Sequence, residues 1–204
     1  MFYPNRRNEK RLQRKGFAFV VGLDEAGRGA WAGPIVAGAV ILDPKVKIKG
    51  IKDSKLLRSP DRKEVFERIV KSALAWSVGI VSHETIDEIG INQANILAMQ
   101  DALKKITPQP DYLLVDAVSF DYKNLPLKAV IKGDYKITSV AAASIVAKVI
   151  RDQLMDELDE QYPQYAFKQH KGYGTNQHHQ MLMKYGVSQI HRKTYQPMKY
   201  LITQ

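Results

Sequence analysis

The sequence contains no cysteine, which excludes disulfide bridges, thiolate metal sites and cysteine nucleophiles and suits a reducing compartment. No apolar run approaches the ~20 residues of a membrane span. The longest near the N-terminus, residues 17–23, is too short and has no cleavage-site pattern after it. The chain is therefore expected to be cytoplasmic, with no membrane partner. Acid is missing from one whole end, since residues 161–204 hold no Asp or Glu. There is also no internal repeat, low-complexity tract or long linker. With 45% hydrophobic residues, a chain of 204 residues is expected to fold around one core.

What is present is positive charge. Thirty-one Lys and Arg against 21 Asp and Glu leave a net +10. That imbalance is silent on fold but favours a polyanionic partner, nucleic acid first. Residues 1–15 carry Arg6, Arg7, Lys10, Arg11, Arg14 and Lys15 against the single acid Glu9, half of the net charge. This stretch reads as a basic, flexible N-terminal arm. The acid-free segment 161–204 holds six Lys or Arg, six of the ten Tyr and four of the five His. Cations interleaved with aromatics suit a phosphate backbone plus sugar or base stacking, although some of these tyrosines must serve as core of a helical segment.

Between the ends, strand and helix patterns alternate, as in an α/β protein. Strands are expected over 17–24, 35–42 and 76–81, from their β-branched and aromatic content, and over 112–115 and 127–131 as short buried runs. Helices are expected over 61–74, over 86–106 up to Pro108 and Pro110, and most clearly over 139–158. Residues 16–160 are thus expected to form one α/β unit and 161–204 a helical segment packed on it.

Three apolar strands run into acid: "VVGLDE", "YLLVDA" and "AVIKGD". Asp24, Glu25, Asp116 and Asp134 therefore sit where strands leave the sheet, which is where α/β proteins gather their sites. One such Asp is an ordinary cap or turn residue, but three strands together make that reading poor. Converging carboxylates repel unless a cation lies between them. Oxygen ligands without Cys favour Mg2+ or Mn2+ over Zn2+, and two such ions roughly 4 Å apart suit phosphodiester cleavage. Neighbours on a strand point to opposite faces, so Asp24 and Glu25 are expected to share a site only if the strand ends or bends between them.

Directly after the acidic pair come Gly27, Arg28 and Gly29, a turn whose backbone can approach a ligand closely. It has neither a Rossmann nor a Walker register. The helix over 139–158 carries a polar stripe, Ser144, Lys148 and Asp152, with Arg151 beside it. Either that stripe is a solvated face, or Lys148 or Arg151 meets a phosphate. Lys55, in "DSK", is a further candidate phosphate contact. In "HKGYGT" a Gly-bracketed tyrosine, Tyr173, is expected to present its ring.

"VGLDEAGRGAWAGPIVAGAVIL", "DSKLL", "YLLVDA", "VIKGD", "VAAASIVAKVIRD", "YPQYAFKQHKGYGT" and "HRKTYQPMK" together resemble bacterial ribonuclease HII, the type 2 ribonuclease H, over residues 20–199 and in the family's order. The resemblance implies an RNase H-like fold, a mixed five-stranded sheet flanked by helices with a helical C-terminal segment. It implies hydrolysis of RNA in RNA/DNA hybrids and incision 5′ of single ribonucleotides embedded in duplex DNA, leaving 5′-phosphate and 3′-hydroxyl ends. The partners so implied are RNA/DNA hybrid and ribonucleotide-containing DNA duplex, the cofactor two Mn2+ or Mg2+ ions, and the expected state a monomer. The family's metal-binding and catalytic acids carry over to Asp24, Glu25, Asp116 and Asp134. The turn that reads the 2′-hydroxyl carries over to Gly27, Arg28 and Gly29, and the tyrosine that packs on the following sugar to Tyr173. Ala30, Ala117 and Tyr195 stand where the family usually has Pro, Gly and Phe. Alternatives are the related type 3 enzymes, which usually carry a longer N-terminal domain, another nuclease or resolvase of the same broad fold, and a noncatalytic hybrid binder. The last would be expected to have lost an acid, and none is missing.

Overall fold

The computed structural model describes residues 4–203 apart from Asp53, and the Lys55 side chain also lies outside the described residues. The elements follow the order α1 (Arg7–Arg14), β1 (Val20–Ala26), β2 (Ile35–Leu42), α2 (Ser59–Ser72), β3 (Ala73–Val81), α3 (His83–Ile89), α4 (Ile91–Lys105), β4 (Tyr112–Asp116), β5 (Leu127–Val130), α5 (Gly133–Lys136), α6 (Thr138–Gln161), α7 (Phe167–His170), α8 (Asn176–Tyr185) and α9 (Met198–Ile202). Five strands form one mixed sheet in the order β3-β2-β1-β4-β5. β1, β2 and β3 pair antiparallel, while β4 lies parallel to β1 and β5 parallel to β4.

Helices cover both faces. On one, Ala94, Ala98, Met99, Ala102 and Leu103 of α4 pack on Leu23, Ile35, Ala39 and Leu113. On the other, the buried first half of α6 lies against β1 and β2. α6 can approach so closely because Gly38 has no side chain: a Cβ there would stand 2.3 Å from the Ala143 carbonyl oxygen. No helix among the described residues is long and apolar enough to cross a membrane.

Four sequence expectations need correction. The run expected as one helix over 86–106 is two, α3 and α4, broken at Gly90 with φ +78°. β3 starts at Ala73, so the preceding helix ends sooner than expected. β1 does not end at Asp24. Its ladder with β2 continues through Asp24, Glu25 and Ala26 opposite Gly38, Ala37 and Val36, because β2 supplies a partner throughout.

The fourth concerns the basic arm, which within its described residues is docked. Glu9 is 2% exposed and accepts a 2.9 Å hydrogen bond from the Ser139 N–H at the start of α6. It does there what the residue preceding the helix, Ile137, cannot, because Ile137 has no side-chain oxygen to offer. Leu12 packs with Val20, Leu114 and Ile137, and Arg6 donates to the carbonyls of Leu42, Asp43 and Val46.

Candidate active site

The sheet opens where β1 loses its parallel partner. The β1–β4 register runs from Val20 opposite Tyr112 to Leu23 opposite Val115. Asp24 and Asp116 therefore follow side by side past the last pair. Asp134 arrives four residues after β5 closes, in the first turn of α5. Asp24 is 5% exposed. Burial holds its carboxyl well above the usual carboxylate range, with Glu25, Asp116 and Asp134 pushing the same way and a hydrogen bond to Ser144 opposing them. The four acids thus share one electrostatic environment although Asp24 and Glu25 remain neighbours on an unbroken strand.

Backbone amides hold the acids in place: Glu25 N–H donates to Asp24 Oδ1 at 2.8 Å, Gly133 N–H to Asp116 Oδ1 at 2.7 Å, and Tyr135 N–H to Asp134 Oδ1 at 3.0 Å. Ala117, directly after Asp116, takes φ +53°, a left-handed conformation in which an Ala is strained and a Gly is not. The departure noted in the sequence therefore leaves the backbone course intact at a cost of about 1 kcal/mol.

A cleft of about 220 Å³ opens beside these acids, lined by Glu25, residues 27–29, Ser144, Lys148 and Tyr173. Ser144 Oγ lies 2.9 Å from Ser54 Oγ. Lys148 Nζ is 2.6 Å from Asp152 and 5.0 Å from the centroid of the Tyr173 ring. Arg28 donates to Asn92 Oδ1 at 2.6 Å, with its Nη1 4.0 Å from Glu25.

Arg151 does not face this cleft as a phosphate contact. It is 0% exposed, and its guanidinium donates to the carbonyls of Ala32, Pro34 and Lys171 at 3.1, 2.9 and 2.9 Å. Burial lowers its pKa. It ties the segment after β1 to the Tyr173 loop, and it dictates the glycine at 27: with φ +96°, a Cβ there would meet Arg151 Nε at 2.0 Å. The Gly bracket around Tyr173 also has a packing cause, since a Cβ at Gly174 would fall 2.3 Å from the Trp31 ring.

Sequence reasoning gave no role to several residues that fix the turn. Arg192, 0% exposed and with its pKa lowered to about 10 by burial, donates to the carbonyls of Gly33 and Arg28. The Tyr195 hydroxyl donates to Arg28 O at 3.0 Å. His191 Nδ1 accepts from Ser188 N–H at 3.0 Å, which leaves the proton on Nε2 to point at His178 Nε2, also at 3.0 Å. His178 Nδ1–H then donates to Tyr173 O at 3.0 Å. The visible signals were "HRKTYQPMK" and the clustered histidines, but the partners of Arg192 and Tyr195 are backbone carbonyls some 160 residues away in the chain.

Four carboxylates with hard oxygen donors and no thiolate fit a divalent cation of the Mg2+ or Mn2+ type. Among the described residues no three His, Asp or Glu groups are already gathered around one point as an ion's ligands.

A mixed sheet covered on both faces, with acids where the β1–β4 ladder ends and just after β5, puts the chain in the RNase H-like class. A family model for ribonuclease HII matches residues 21–198. The ribonuclease HII of Caldicellulosiruptor saccharolyticus is 47% identical over 187 residues, 92% of this chain and 91% of the relative, and that of Dehalococcoides mccartyi 46% over 202 residues, 98% and 95%. The solved ribonuclease H2 of Pyrococcus horikoshii superposes with a TM-score of 0.75 at 28% identity, covering 90% of this chain and 97% of that one. The chain belongs to the ribonuclease HII family, metal-dependent endonucleases that act on RNA/DNA hybrids.

Proposed function

We propose that this enzyme recognises the junction between a ribonucleotide and the deoxynucleotide after it and cuts 5′ of that ribonucleotide, including single ribonucleotides embedded in duplex DNA, leaving 5′-phosphate and 3′-hydroxyl ends. The observation that carries this reading is that residues 27–29 and Tyr173 line one cleft with Glu25. In the turn, the Gly27 carbonyl is taken by Ala30 N–H, and the Arg28 carbonyl by Arg192 and Tyr195. Among the described residues the N–H groups of Arg28 and Gly29 have no partner, which leaves two donors for a 2′-hydroxyl.

The Tyr173 ring would pack on the next sugar, where an added 2′-hydroxyl has no room. Lys148, neutralised by Asp152 only in part, faces the same space and suits a phosphate. Ser144 orients the Asp24 carboxyl from α6. Asp24, Glu25, Asp116 and Asp134 would hold two divalent ions, Mg2+ or Mn2+, which when bound supply charge neutralisation and activation of the attacking water.

The test compares Tyr173→Ala, Tyr173→Phe and wild type on a duplex with one ribonucleotide and on a continuous hybrid. Tyr173→Ala should lose most incision at the single ribonucleotide and less on the hybrid, and Tyr173→Phe should keep much of both. Equal loss on both substrates, or a Phe variant as poor as the Ala one, refutes the junction reading.

A further inference from the structure

A cleft of about 660 Å³, larger than the one beside the carboxylates, lies between α1 and the segment that follows β2. Asp24 pairs with Gly38 in mid-strand, whereas this cleft begins at Leu42, the last residue of β2. Four strand residues separate the two levels, roughly 13 Å along the sheet, so the cleft lies toward the opposite end from the acids.

Every charged side chain lining it is a cation: Arg6, Lys10, Lys45, Lys47 and Lys49. Arg6 is spent on the carbonyls of Leu42, Asp43 and Val46, which fixes the loop as one wall. Among the described residues the four lysine ammonium groups have no hydrogen bond or ion pair, and no acid lines the cleft. The base is apolar and fixed, with Leu42 and Ile51 buried. Like charges gathered over an apolar floor favour an anion, as gathered carboxylates favour a cation.

We propose that this cleft is a second phosphate-ester site, taking the phosphates of a free nucleotide or of a nucleic-acid strand outside the catalytic cleft. A single carboxylate would offset one of five positive charges, while an oligophosphate or a strand offsets several. Lysines act on phosphate as point charges without a fixed geometry, which suits a run of phosphates. No aromatic ring is among the described lining residues, so affinity follows phosphate number and not base identity.

The test is calorimetric titration of the full-length protein in EDTA with tripolyphosphate, with adenosine and thymidine triphosphates, and with a ribonucleotide-free single strand. The cleft variant Lys45→Gln/Lys47→Gln/Lys49→Gln is compared with Lys63→Gln/Lys71→Gln/Lys104→Gln, which removes the same charge from exposed positions elsewhere. The cleft variant should bind about tenfold more weakly and the control within about twofold of wild type, with hybrid cleavage unchanged in both and the two triphosphates alike. Loss for tripolyphosphate and nucleotides assigns the site to free nucleotide phosphates, and loss for the strand alone assigns it to nucleic acid. Equal weakening in the two variants, no saturable binding by wild type, or affinity that depends on the base overturns the proposal.

Discussion

Acid should loosen this protein through two imidazoles. Burial, reinforced by each ring's like-charged neighbour, lowers His178 from 6.5 to about 4 and His191 from 6.5 to about 3. A folded-state pKa below the unfolded value means that the neutral rings stabilise the fold fully above pH 6.5, and that this stability is lost as pH falls toward the folded values. At about pH 5 the unfolded chain holds close to two more protons than the folded one, so stability should fall by roughly 2.7 kcal/mol per pH unit, or about 3 to 4 kcal/mol between pH 7 and 5. That is a large share of a typical 5–15 kcal/mol.

Asp24 works the other way. Its carboxyl is raised by burial and by its acidic neighbours, so protonation as pH falls through its folded pKa favours the folded state. The measurement is therefore best made in Asp24→Asn, by urea unfolding in EDTA at several pH values from 7 to 5, with imidazole NMR shifts followed in parallel. A stability loss below about 1 kcal/mol over that range, or His178 or His191 titrating above pH 5, would refute the reasoning.

Asp24→Asn itself should raise the metal-free urea midpoint, by removing a buried carboxyl among acids, while hybrid cleavage falls at least about a hundredfold. Arg151→Met strands three carbonyls, and at about 1–3 kcal/mol each should lower the melting temperature severely. The salt dependence of substrate binding should keep its slope, and a slope reduced by about 1 would restore the phosphate reading of Arg151. Tyr195→Phe removes the hydroxyl bonded to Arg28 O and should cost about 0.5–1.5 kcal/mol in chemical denaturation; no change would mean that Arg192 alone holds the turn.

The strand-end acids were legible because side chains that meet at an open sheet edge follow short apolar runs, a pattern local to each strand. The long α6 was legible for the same reason, its periodicity being local. The fate of β1 past Asp24 was not, because it depends on β2 pairing further than β4 does. Nor was the docking of residues 5–15, which rests on Glu9 meeting an amide 130 positions away. Arg151 looked like part of a polar stripe because only its spacing was visible, and its three partners are backbone atoms that carry no sequence signal. The break at Gly90 was written in the sequence as a glycine inside a helical pattern, and only its left-handed φ shows that it ends one helix and starts another.

The pins on the turn at 27–29 all come late in the chain. The fourth acid is residue 134 and the sheet with its covering helix is complete at Gln161, but Arg192 and Tyr195, which hold Arg28 O, follow some thirty residues later. On a ribosome adding about 5–20 residues per second, the acidic edge emerges seconds before the segment that shapes the turn beside it. A chain cut short after α6 would keep every carboxylate and lack the clamp on the turn. Vectorial synthesis thus delivers the carboxylate edge first and the clamp on the neighbouring turn last.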